Sequence, residues 1–257
     1  NIDRLTVPPT DGERHLLMVL LDTLDDTYEV YFNPYLDGDR PDVIVIKPGC
    51  GASIIEVKDW NLSHYQVDIK NQWLYQDKKL RSPQQQAFRY KENLFNLHLP
   101  VLGLQHLKNR NFYKLISVAV YFHRASREQL KHLYSTSLEE IYERTQQLNR
   151  DRLQIGQAKY DQQMDWCCRA RFKLERDLGM SWGFDNVVNK VRMLDKLRKH
   201  PLFTPDIHED FERRLRPPVH TRQQGVAVAF DTKQLALTVS KPGFAKVKGV
   251  AGCGKTT

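Results

Sequence analysis

Two short aliphatic runs joined by a tight turn set the frame for this chain. Val43-Ile44-Val45-Ile46 is continuous and β-branched, it is closed by Pro48-Gly49, and Ser53-Ile54-Ile55-Glu56-Val57-Lys58 follows at once. Uninterrupted apolar runs of this length read as buried strands, and the Pro-Gly pair reads as the turn of a hairpin between them. The neighbouring segments fit around that hairpin. Asp11 is a candidate N-cap for a helix whose Leu16, Leu17, Leu20, Leu21 and Leu24 form an apolar stripe. Residues 28–32 read as a strand stopped by Asn33-Pro34, and residues 64–70 and 72–75 as a smaller hairpin that carries Trp73 outward or across. Ser82-Pro83 opens a second helix, ended near Leu94, Leu97 and Pro100, and residues 115–122 form another buried strand. The order helix, three strands, small hairpin, helix, strand makes an α/β unit over residues 11–123.

Beyond it the pattern turns helical and charged. Helices are expected at 137–154, 158–178 and 185–199, broken at Gly179, Gly183 and Pro201, and Pro217-Pro218 reads as a linker before a helical stretch at 231–239. The chain therefore divides into residues 1–123, 124–216 and 217–257, and its 257 residues, 40% hydrophobic, suffice for such cores. The net charge of +8 is a weak pointer to a polyanionic partner, because residues 217–257 hold six basic side chains against one acidic. Cys50, Cys167, Cys168 and Cys253 form no C-x-x-C pair, which argues for free thiols rather than a disulfide framework or a structural zinc. Residues 16–21 are the longest aliphatic run, too short to span a bilayer, and the expectation is a soluble, cytoplasmic chain with no membrane partner. It opens on Asn and stops inside a motif, as a piece of a longer polypeptide would.

Chemistry enters at Glu56 and Lys58. Four acid-x-Lys triplets occur, at 56–58, 68–70, 77–79 and 231–233, and only the first lies in an apolar strand. Positions i and i+2 of a strand share a face, and a charged pair on a buried strand is costly unless it binds something. Pro41-Asp42 opens the strand alongside, so the carboxylates of Asp42 and Glu56 can converge at adjoining strand ends. Two converging carboxylates suit a hard divalent cation, Mg2+ or Mn2+. The plain alternative is a turn-capping Asp42 and a solvent-facing Glu56–Lys58 pair on an edge strand.

Pro41-Asp42 followed by Glu56-x-Lys58, on this order of elements, resembles the restriction-endonuclease-like PD-(D/E)xK superfamily, and within it the nuclease-related domain family, NERD. Gly12-Glu13 in the first helix, Asp42 opening its strand, Glu56-Val57-Lys58-Asp59-Trp60, and Pro83 to Gln86 opening the next helix match that family's pieces in order. Gln86 and Tyr90 also resemble the Q-x-x-x-Y element of recombination-type exonucleases. Asn61 and Ser82 depart from the family's usual glycine and asparagine. The resemblance implies a restriction-endonuclease-like core that hydrolyses DNA phosphodiesters. Asp42, Glu56, Lys58 and Gln86 would be its catalytic residues, and Glu13, Asp42, Glu56 and the backbone carbonyl of Val57 its metal ligands. Glu13 has a second reading as a first-turn glutamate favoured by the helix dipole, Gln86 as a helix-surface residue and Tyr90 as a core aromatic.

Gly249-Val250-Ala251-Gly252-Cys253-Gly254-Lys255-Thr256 fits G-x-x-x-x-G-K-[ST], a loop whose backbone N–H groups cradle phosphates while the Lys and Thr serve the outer phosphates and magnesium. It resembles motif I of superfamily 1 helicases, and Gln234 resembles that family's adenine-reading Gln, or is a surface Gln. The sequence printed carries no Walker B acid and no arginine finger, so ATP is expected to serve only a longer polypeptide. The resulting expectation is a nuclease fused to a helicase, acting in bacterial DNA processing or defence against foreign DNA. The alternatives are a non-cleaving DNA-binding module and a scaffold that assembles, with itself or a partner, through the helical region.

Overall fold

The hairpin read from the sequence lies at the middle of a five-stranded sheet. The computed structural model describes residues 8–34, 36, 38–195 and 198–215. Strand β1 (Glu29–Phe32) pairs antiparallel with β2 (Val43–Lys47), and β2 with β3 (Gly51–Lys58). β7 (Ile116–Phe122) lies parallel to β3, and a short β8 (Ser181–Gly183) lies parallel to β7, giving the order β1-β2-β3-β7-β8. Between β3 and β7 the chain forms a separate three-stranded sheet of β4 (Tyr65–Val67), β5 (Trp73–Tyr75) and β6 (Lys78–Leu80).

Both faces of the main sheet are covered, which is why its strands are apolar without alternation. On one face Val43, Val45, Ile55, Val57, Ala119 and Tyr121 pack against helix α1 (Asp11–Thr23) and α7 (Val187–Asp195). On the other, Ile44, Ile46 and Ile54 meet α2 (Pro83–Asn93), α3 (Pro100–Lys108) and α8 (Pro205–Leu215), while Val118, Val120 and Phe122 meet α4 (Arg127–Arg150) and α6 (Gln157–Met180), which a single turn, α5 (Arg152–Ile155), connects. The α/β architecture is compatible with a nuclease-like core. Residues 124–215 continue the packing across the expected 123–124 boundary, since β8 joins the sheet, and the compact unit ends at Leu215.

Local details differ from expectation for identifiable reasons. Thr10, not Asp11, caps α1: its Oγ1 accepts the Glu13 N–H while Glu13 Oε2 accepts the Thr10 N–H at 2.7 Å, a reciprocal capping box. Trp73 points inward, fully buried and stacked on Phe122 with ring centroids 5.8 Å apart, and so fastens the small sheet to the main one. Pro100, read as a terminator, instead starts α3, as its fixed φ allows at a first helical position. The helix expected at 137–154 begins ten residues earlier, where Ser126 and Gln129 form another capping box. The phosphate loop with Gly249, Gly252, Gly254, Lys255 and Thr256, the helix expected at 231–239 and Gln234 lie outside the described residues. No helix among the described residues is long and apolar enough to cross a membrane.

Candidate functional site

Strand register brings the two acids together. Val43 pairs with Ile55, so one further step sets Asp42 opposite Glu56, with both side chains on the same face. Asp42 is fixed by two contacts: its backbone carbonyl accepts the Asn33 N–H at 2.8 Å, and its Oδ2 accepts the Val57 N–H at 2.7 Å. The loop before it is clamped to α2, because buried Asp39 accepts from Asn93 Nδ2 at 2.7 Å, and His98 Nε2 lies 3.1 Å from the same oxygen.

Glu56 is 1% exposed, and its two oxygens have different surroundings. Oε1 accepts from Lys58 Nζ at 2.6 Å and from Gln86 Nε2 at 2.6 Å. Gln86 also donates to the Tyr90 hydroxyl at 2.9 Å, one helical turn on. Oε2 is buried and accepts no hydrogen bond from an amide, ammonium or hydroxyl group; the neighbour able to bring it a proton is the Asp42 carboxyl. Burial pushes the Asp42 carboxyl up to about 7, the adjacent Glu56 charge adds to the rise, and the Val57 N–H and Lys58 oppose it. Burial likewise raises Glu56, with Lys58 pulling the other way. Two acids that resist losing both their protons, and a buried oxygen lacking a fixed donor, fit a divalent cation drawn in by the carboxylates.

Glu13 stands close enough to raise both acids, though its own oxygens are engaged by Thr10 and, at 3.5 Å, by Asn33 Nδ2. The first-turn reading of this residue matches its place in the capping box, and its charge is felt by both acids. Gly12 explains the approach of α1. A Cβ there would collide with the Asp59 carboxylate and stand 2.8 Å from the His123 Cβ, and the Gly12 N–H points at Asp59 Oδ2, 3.4 Å away.

The structure therefore gathers Asp42, Glu56, Lys58 and Gln86 around one point, with the Val57 N–H tied to Asp42 and Glu13 near enough to act on both acids through its charge. Lys58 Nζ also lies 5.7 Å from the Trp60 ring, which stacks on Tyr65. Asn33 and Asp39, which hold Glu13 and the Asp42 loop, carried no sequence signal beyond turn-forming residue types. A cavity of about 730 Å³ between the small sheet and the start of α4, lined in part by Tyr65, Gln66 and His132, contains none of the expected site residues.

The nuclease-related domain family, NERD, matches residues 9–123, the stretch that contains Glu13, Asp42, Glu56, Lys58 and Gln86. No curated protein and no solved structure matches the chain.

Proposed function

We propose that the nuclease-related domain of residues 9–123 is a metal-dependent nuclease that hydrolyses DNA phosphodiesters with Asp42, Glu56 and Lys58. The single observation that carries this reading is the buried Glu56 carboxylate. One oxygen is held by Lys58 and Gln86, the other has no fixed donor, and Asp42 stands opposite it.

Asp42 and Glu56 would hold Mg2+ or Mn2+, with Glu13 adding charge and the Val57 carbonyl a further oxygen. When bound, the cation supplies Lewis acidity toward the phosphodiester and the attacking water. The remaining work belongs to the side chains. Gln86 fixes the orientation of Glu56 by donating to Oε1, and Tyr90 fixes Gln86. Lys58 keeps an ammonium group beside the carboxylates, where it favours the negative charge that develops on the phosphoryl oxygens during attack. In a longer polypeptide the same reading joins this nuclease to a superfamily 1 motor that takes ATP through Lys255 and Thr256, in bacterial DNA processing or defence.

The purified chain, incubated with plasmid and linear DNA, should cut with Mg2+ or Mn2+ and stop with chelator. Glu56→Gln and Lys58→Ala should each abolish cutting while leaving the circular dichroism spectrum unchanged. Cleavage that survives chelation or either substitution rejects the site, and DNA binding without cleavage favours a recognition module instead.

A further inference from the structure

A second group of metal-ligating side chains lies outside the carboxylate pair. Glu29, at the start of β1, and His208 and Glu212, on α8, each offer one donor atom, and the three atoms lie within 4.8 Å of one another. Spacing of i and i+4 sets His208 and Glu212 on one edge of α8. The rotation of that helix about its axis is fixed by the sides next to and behind that edge. Ile207 and Phe211 are buried in the core, and Asp210, 3% exposed, accepts the Val101 and Leu102 N–H groups at the start of α3 at 3.0 and 3.5 Å. Glu29 is oriented as well: Tyr31, two residues on and so on the same face of β1, donates its hydroxyl to Oε2 at 2.7 Å, and Oε1 meets His208 Nε2 at 3.0 Å.

We propose that Glu29, His208 and Glu212 bind a first-row transition dication, zinc foremost, at a site separate from the carboxylate pair. The donor set decides the class of ion. An imidazole nitrogen with two carboxylate oxygens suits zinc and its neighbours, whereas magnesium prefers oxygen alone. Zinc bonds of about 2.0–2.2 Å place tetrahedral donors about 3.4 Å apart, so the 3.0 Å between His208 and Glu29 needs only a small opening to admit the ion. Tyr31 plays the outer part that such ligands usually have, holding one carboxylate oxygen so that the other is aimed. All three ligands are half-buried, which leaves access for the ion and for a water in the remaining position. A bound ion would fasten α8 to the edge strand of the sheet, joining residues 179 apart in sequence. The proposal does not depend on the nuclease reading.

The test is zinc binding to the chelator-stripped full chain by equilibrium dialysis, with Co2+ substitution followed by visible absorption and melting followed with and without zinc. Asp42→Asn is expected to keep the zinc site and its melting shift. His208→Gln and Glu212→Gln, both at partly exposed helix positions, are expected to weaken zinc at least tenfold and lose the shift, with unchanged circular dichroism. Equal zinc affinity and stoichiometry in the wild type and both α8 variants would overturn the proposal, because the ion then sits elsewhere. Absence of zinc binding in the wild type would also overturn it and reduce the trio to an ordinary ion pair.

Discussion

Gln86 spends both hydrogens of one amide on the candidate site, donating to Glu56 Oε1 at 2.6 Å and to the Tyr90 hydroxyl at 2.9 Å. A helix residue thereby helps to set the rotamer of a strand carboxylate to which it is the one amide donor among the described residues. Gln86→Glu should set a third acid against Glu56 and lower metal affinity or turnover by roughly 10- to 100-fold, as loss of a ligand's outer partner commonly does. Tyr90→Phe keeps the ring and removes one acceptor, so about 1 kcal/mol of stability and a small loss of rate are expected. Calorimetric Mn2+ titration and plasmid nicking rates measure both, and a Gln86→Glu protein with wild-type Mn2+ affinity and a wild-type nicking rate would contradict the arrangement.

The acid pair predicts a pH profile. Asp42 is raised from its ordinary 3.8 to about 7, and Glu56 is raised with it. Between those values the unfolded chain has released the proton and the folded chain retains it. Metal-free stability should therefore be fully present below about 4 and fall as pH rises to about 7, by on the order of a few kcal/mol. Divalent-cation affinity should climb over the same window, since the ion displaces the proton. Asp42→Asn should flatten the slope, raise the urea midpoint at pH 8 and abolish cleavage. Urea unfolding from pH 4 to 8 checks the sign, and stability that rises across that range would refute it.

Gly12 is predicted to be intolerant of even one methyl group. The Cβ of Gly12→Ala meets the Asp59 carboxylate and the His123 side chain, so α1 must retreat from the end of β3 and take Glu13 with it. Overpacking of this kind costs about 1–3 kcal/mol. Thermal melting should show that loss, and Mn2+ affinity should fall as well; a fall in stability alone would mean that Glu13 adds nothing to the ion.

Trp73→Ala should remove the fastening of the small sheet. The indole is fully buried between Phe122 and Tyr134, and deletion of a buried tryptophan costs about 3–5 kcal/mol. Limited proteolysis should then cut first within residues 64–81, and protection of that segment in the variant would argue against its dependence on Trp73.

What the sequence revealed follows the range of the forces involved. Strands β2 and β3, the start of α2 at Ser82-Pro83 and the stripe of α1 are written in local patterns, and each is found in the structure. The convergence of Asp42 and Glu56 was legible because a short hairpin turn fixes which residues stand opposite. Short elements held by tertiary packing were not legible. β8 is three residues long and owes its place to β7, and β6 follows a turn in which Gln76 and Asp77 both take positive φ without a glycine to announce it. Glu29 and His208 are too far apart in sequence for any pattern to join them, and the burial of Ile207 and Phe211 on the adjoining face of α8 brings them together.

The turn at Pro48-Gly49, where Gly49 takes φ +73° and the Cys50 N–H returns to the Lys47 carbonyl at 2.9 Å, lies at the far end of β2 from Asp42. It nevertheless acts as a gauge for the chemistry. Inserting or deleting a single residue there would slide β2 along β3 by one position and swing Asp42 to the opposite surface of the sheet, even with every apolar contact free to re-form. Distance from the carboxylates thus gives this loop no licence to vary in length, and a library of turn lengths should hold catalysis at one value while tolerating changes of residue type.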